Sequence, residues 1–302
     1  MTHRQAVWLM VGVTLMWSIA GVVTRHLESA RGFEVTFWRS SFNALALTVM
    51  LVVLRGPSRL WRSFRDGDRA FWLSAVCWAV MYTAFMLALT LTTVANVLIT
   101  MALAPLFTAL ASRLLLGHRL APRTWAAIVV AGLGIAWMYG REVSGAGTRH
   151  LLGTAVALGV PIAAAANWTL MQHLHHGGDE ADDMLPAVLG GAVISALLTL
   201  PAAVPLSASA HDLGLLALLG VVQLAIPCLL ATALTRHLLA PEISLLALLE
   251  VVFGVLWAWA GTAERPSLPV LGGGALVLAA LVANESLALH ARRRVTAAAA
   301  GS

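Results

Sequence analysis

The chain has 302 residues, 60% of them hydrophobic and 11% charged, with a mean hydropathy of +0.85. A soluble domain carries about 25% charged residues, so this composition excludes a water-soluble fold and makes lipid the solvent. The net charge of +5 comes from nineteen arginines and no lysine. These arginines fall between hydrophobic runs rather than along one face, which excludes nucleic acid as the partner.

A membrane-crossing helix needs about 20 predominantly apolar residues. In chain order, ten stretches answer that description: 6–26, 33–54, 70–91, 94–116, 124–140, 151–173, 184–205, 213–235, 242–262 and 270–290. The first resembles a signal peptide, but nine further spans follow, and it reads as a retained span. The third and fourth nearly touch around Thr92, which predicts a tight helical hairpin. The expected fold class is therefore an all-α polytopic membrane protein with ten transmembrane helices. Cys77 and Cys228 lie inside apolar runs and read as small buried hydrophobes, with no disulfide framework or CxxC metal site.

Arginine bias in short loops orients such a chain. With the N-terminus inside, the inner segments hold twelve arginines, including Arg55 to Arg69 and Arg292 to Arg294. The outer segments hold five: Arg25, Arg31, Arg141, Arg149 and Arg265. Both termini are thus expected on the cytoplasmic side. The segment from His175 to Asp183 is acidic and falls inside, but acidic residues count little in this rule.

Three prolines lie near span centres: Pro105, Pro161 and Pro227 in the fourth, sixth and eighth spans. A helical proline removes one backbone bond and clashes with the carbonyl four residues back. Those carbonyls belong to Met101, Ala157 and Gln223. Prolines are common in membrane helices, but three at matching depth favour hinges around a central cavity, since irregular backbone there must be packed in protein or line a wet space. Pro105 predicts a bend in a cavity-lining helix, and Gly117 to Arg119 an inner cap at its end.

Polar and aromatic residues at that depth agree. They are Trp17 in the first span, Trp78 and Tyr82 in the third, and Asn96 and Thr100 in the fourth. Asn167 and Trp168 follow in the sixth, Gln223 in the eighth, and Glu250, Phe253 and Trp257 in the ninth. Aromatic stripes also serve packing, and mid-span amides also bond helix to helix. Together they outline an aromatic, mostly neutral pocket with a few hydrogen-bonding groups. Glu250 reads two ways: as a partner for a substrate amine or a proton, or as a protonated carboxyl bonded to a neighbouring carbonyl. Arg39, about two turns from the outer face, reads first as a snorkelling residue or a tie between helix ends, and second as a substrate contact.

Sliding the stretch ALAPLFTALASRLLLGHRLAP (102–122) by 146 positions brings it onto LLEVVFGVLWAWAGTAERPSL (248–268). Leu103 then meets Leu249, Phe107 meets Phe253, Arg119 meets Arg265, Ala104 meets Glu250 and His118 meets Glu264. Each stretch is the fourth of five spans, and an odd number of spans per repeat inverts the second copy. Trp17 and Trp168 correspond at a slightly different offset.

With FWRSSFNAL in the second span, these two stretches resemble the drug/metabolite transporter superfamily in its EamA-type ten-helix branch, over nearly the whole chain. Within it the tryptophan-rich layout is most similar to YddG-type aromatic amino acid exporters. The resemblance implies two inverted five-helix repeats, 1–145 and 146–302, around a central cavity, working by alternating access. It implies a monomer, with no cofactor or metal, in a bacterial inner membrane, whose partners besides the lipid bilayer are small-molecule substrates, amino acids (aromatic and large neutral ones favoured) or related metabolites. Two residues depart from the family pattern. His118 stands where a glutamate usually follows the glycine after the fourth span, and Val251 stands where proline often follows the ninth-span glutamate.

Rival functions lack residues. No HExxH, GxSxG or paired aspartates occur in the spans to support an intramembrane enzyme. His173, His175, His176 and Asp179 form a metal-like cluster, but at a span end and in a solvated loop. Nothing resembles the charged rings or filter loops of a channel. Export of another small amphipathic metabolite or drug stays open as an alternative cargo.

Overall fold

The computed structural model describes the chain except for residues 117–121, 141–147, 177–183, 235–245, 248, 264–266 and 301–302. Every regular element among the described residues is a helix. These are α1 (His3–Ser18), α2 (Ala20–Thr24), α3 (Phe33–Arg55), α4 (Pro57–Arg65), α5 (Arg69–Leu91), α6 (Val94–Met101) and α7 (Ala104–Leu116). The chain continues through α8 (Pro122–Gly140), α9 (Thr148–His176), α10 (Leu185–Ala203) and α11 (Ala210–Leu218). A π-helical segment (Leu219–Ala225) then leads into α12 (Ile226–Leu234), and α13 (Leu249–Gly261) and α14 (Leu268–Ala300) follow.

Six stretches are long and apolar enough to cross a membrane: His3–Thr24, Phe33–Arg55, Arg69–Leu91, Thr148–Asn167, Leu185–Ala203 and Ala210–Ala231. Val94–Thr108, Leu249–Gly261 and Leu271–Asn284 are shorter apolar helices. Leu45, Val53, Leu133, Leu197 and Leu198 are more than half exposed on the outside of the bundle. In water that surface would drive aggregation; in a bilayer it is the lipid contact. The protein is thus a multi-pass helical membrane protein. After α3 the chain turns at Gly56, whose φ of +82° suits glycine. It then enters α4, a short arginine-bearing helix that buries no residue.

Small residues set the helix contacts. Gly191 of α10 lies against Trp78, the Ala75 carbonyl and the Ala79 amide of α5, and any side chain there would overlap them. Gly134 meets the Gly273 carbonyl, and Thr124 donates to Asn284 at 3.1 Å, so α8 and α14 run antiparallel. Gly254 lies near the Ser18 carbonyl and Gly261 near Val22, so α13 runs parallel to α1 and α2. Further pairs join α5 to α9, α5 to α10, α3 to α10, α3 to the π segment, α7 to α9, α1 to α12 and α6 to α13.

One end of the bundle is fastened by two carboxylates that act reciprocally. Glu34, in the first turn of α3, accepts from the amides of Ser207 (2.6 Å) and Ala208 (2.8 Å) and from the Ser207 hydroxyl (2.8 Å). Asp212, in the first turn of α11, accepts from the amides of Glu28 (2.8 Å), Ser29 (2.9 Å) and Ala30 (2.8 Å). Each acid thus binds the segment that leads into the other's helix. At the same end Arg25 donates to the carbonyls of Leu89 and Thr92, both at 2.6 Å.

Among the described residues the helices break in three places. α1 yields to α2 at Ile19, and α6 ends at Met101, whose carbonyl lies four residues before Pro105. Pro105 is the second residue of α7, where a missing amide hydrogen costs nothing. Pro227 likewise opens α12 just beyond the π segment, and Gln223 lies four residues before it, inside that segment. A π turn takes up the mismatch left when an i to i−4 bond is missing. Pro161 is different: α9 runs through it unbroken.

Candidate functional site

Helix α3 carries Thr36, Arg39, Ser40 and Asn43, spaced by three or four residues so that they share one face. All four are buried, Arg39 being only 2% exposed. Burial therefore overturns the snorkelling expectation for Arg39, whereas it does tie helices, through Gln223. From Arg39, α3 runs about 9 Å to its nearer end, too far for the head group to reach interfacial water through packed protein. Its charge is met inside instead. Arg39 Nε and Nη2 donate to Gln223 Oε1 at 3.3 and 2.8 Å, and the guanidinium carbon lies 5.4 Å from the Phe85 ring centroid. Gln223 is held in turn, because its Nε2 donates to the Trp17 carbonyl at 3.1 Å, just before the break at Ile19.

Tyr82, Cys228 and Glu250 are the other electrostatic neighbours of Arg39. Glu250, the second residue of α13, is half-buried and makes no ion-pair contact with the guanidinium. Tyr82 is buried, stacks near Trp78 at 5.6 Å between centroids, and has Asn43 and Cys228 beside its hydroxyl. Arg39 Nη1 is buried without a hydrogen-bond partner, while Tyr82 and Asn43 meet side chain to side chain beside it. Each unpartnered buried atom costs about 1–3 kcal/mol, and native interiors hold few of them. An unpartnered donor on a buried guanidinium marks a place able to take a polar group from elsewhere. Just above it, Ser195 bonds both Ser40 and Thr83 at 2.9 Å and pins α10 to α3 and α5.

Of the sequence-predicted residues, Trp17, Trp78, Tyr82, Gln223 and Glu250 come together here. The others stand apart. Asn96 Nδ2 contacts His150 Nε2 at 2.6 Å and Thr92 Oγ1 at 3.3 Å, which ties the start of α6 to the first turn of α9. Thr100 bonds the Asn96 carbonyl at 2.7 Å, and Asn167 accepts from Ser74 at 2.7 Å. Trp257 Nε1 donates to Ser18 at 3.1 Å on the α1–α13 contact, with Phe253 half-buried one turn before it. The side chains of Trp168, His173, His175 and His176 lie outside the described residues, as do Asp179, Glu264 and the Gly117–Arg119 cap. Asn43 is the residue that sequence reasoning missed, and Arg39 the one whose substrate role it placed second. The signal was present in the spacing of Thr36, Arg39, Ser40 and Asn43, a polar face on an otherwise apolar helix.

Residues 4–140 match the model of the EamA-like transporter family. A solved crystal structure is similar over 97% of this chain and 99% of its own, with a TM-score of 0.60 and 18% identity. At that identity the likeness concerns the fold alone. No curated protein matches the chain.

Proposed function

We propose that the protein is a carrier that exports amino acids, favouring aromatic and large neutral ones, across a bacterial inner membrane by alternating access. The carrying observation is the unpartnered buried Nη1 of Arg39, with the polar atoms of Asn43 and Tyr82 beside it, in a chain whose residues 4–140 match the EamA-like transporter family. The Trp78–Tyr82 pair offers aromatic surface beside those atoms. Aromatic contacts add about 0.5–1.5 kcal/mol beyond burial, enough for preference rather than strict selection. The breaks near Pro105 and Pro227 supply places where helices bend without losing further backbone bonds.

The proposal includes ten spans in two inverted repeats, 1–145 and 146–302. Helix pairing supports it, because the pairs recur when the halves are exchanged. The α5–α9 pair answers to α12–α1, α7–α9 to α13–α1, and α5–α10 to the π segment with α3. The pairs α3–α10, α8–α14 and α6–α13 join equivalent elements. Single cysteines placed at Gly145 and Gly178 should label from opposite sides in intact cells, the first from outside; labelling from one side rejects the ten-span arrangement.

The function is tested by counterflow of labelled phenylalanine, tryptophan and methionine in proteoliposomes, which a channel or an enzyme does not give. Glu250→Gln keeps the shape of the side chain and removes its charge. It should lower exchange at least tenfold or abolish its pH dependence while the protein stays folded. Exchange unchanged across pH returns Glu250 to a packing role, and no exchange of any labelled amino acid discards the substrate class.

A further inference from the structure

We propose that Arg39 is the carboxylate anchor of the substrate site, and that the transported molecule must carry a free carboxylate. This rests on the carrier reading above and specifies the chemistry its site selects. A guanidinium has five N–H donors in a fixed plane. Gln223 Oε1 takes the Nε edge, through Nε and one Nη2 hydrogen. The opposite edge, formed by Nη1 and the second Nη2 hydrogen, is the fork that binds a carboxylate through two parallel bonds. Nη1 on that edge is buried without a partner, on a residue only 2% exposed.

The orientation of the fork is held rather than accidental. Gln223 donates to the Trp17 carbonyl, so its oxygen stays turned toward Arg39, and the Phe85 ring backs the guanidinium. Gln223 is a positioning residue: it keeps the Nε edge occupied and leaves the other edge for the ligand. Glu250 is an electrostatic neighbour without an ion-pair contact, so the two charges do not cancel by direct bonding. A zwitterion with its carboxylate on Arg39 and its ammonium toward Glu250 pairs both and leaves the site neutral. A ligand whose carboxylate is replaced by an amide leaves a buried cation short of its acceptor, which is costly. Tyr82 and Asn43, which meet each other in the same cluster, bring further polar groups to the remaining oxygen lone pairs.

The test is ligand binding to the purified full-length protein, read by thermal shift and tryptophan fluorescence with matched acids and amides. The probes are L-phenylalanine against L-phenylalaninamide, and 3-phenylpropionate against 3-phenylpropionamide. Each acid should bind at least about tenfold more tightly than its amide, the size of a charge-assisted hydrogen bond. In Arg39→Gln the ratio should fall to about twofold or less, and Arg39→Lys should restore part of it. The comparison on the unaltered protein decides the matter even if a variant misfolds. Equal binding of acid and amide overturns the anchor, as does a preference that survives in Arg39→Gln or a panel in which no acid binds. Phenylalanine exchange without acid preference keeps the amino acid reading and rejects the anchor. Arg39-dependent binding of 3-phenylpropionate without any amino acid exchange does the reverse.

Discussion

Gly220→Ala is expected to remove most transport, by more than tenfold, and to cost about 1–3 kcal/mol of stability, the range for overpacking. Gly220 lies in the π segment where it presses on α3. A Cβ there would stand 2.6 Å from Phe42 Cβ, 2.8 Å from the Arg39 carbonyl and 2.8 Å from the Asn43 amide. Two of those three atoms are backbone, so no rotamer change relieves the overlap and the two helices must separate. Separation stretches the Arg39–Gln223 contact, which spans that same interface. Gly214→Ala is the control. Nothing lies within 4 Å of its Cβ position, and it belongs to α11 just before the π segment. There, loss of a helical glycine should be neutral or stabilising by about 0.5–1 kcal/mol. Exchange assays and thermal unfolding of both variants check the pair of expectations. Equal activity of the two would mean that the α3–π contact does not govern the site.

Asp212→Ala should cost about 3 kcal/mol, because three charge-assisted bonds to backbone amides are lost at once. The carboxylate is fully buried, and its three donors, Glu28, Ser29 and Ala30, lie in the turn that leads into α3. Ala30 is itself buried, so water cannot replace the acceptor there without opening the turn. Asp212→Asn retains one acceptor oxygen and should lose about half as much. Because Glu34 holds the reciprocal side through Ser207 and Ala208, the double variant Asp212→Ala/Glu34→Gln should lose more than either alone. Thermal unfolding in a fixed detergent measures the parent, the three single variants and the double variant. An Asp212→Ala protein as stable as the parent would show that this end is held by helix packing alone.

Helical membrane character was legible from composition and run length, because in hydrocarbon every backbone polar group must bond within its own helix. Pro105 and Pro227 also declared themselves, since a missing amide hydrogen acts on the same chain four residues away and needs no partner. Trp17, Tyr82, Gln223 and Glu250 stood out as polar or aromatic residues at mid-span, where such residues are costly. Tertiary structure decided which of them meet. Asn96, Thr100, Asn167 and Trp257 have the same chemical character, yet each is bonded to a neighbouring helix or to its own backbone away from the Arg39 cluster. Arg39 shows the limit most clearly. One-dimensional depth put it near the interface, whereas Gln223, 184 residues away, accepts its Nε and Nη2 hydrogens and leaves Nη1 unpartnered. Burial and orientation of a charge depend on what distant segments pack around it, and no local spacing carries that information.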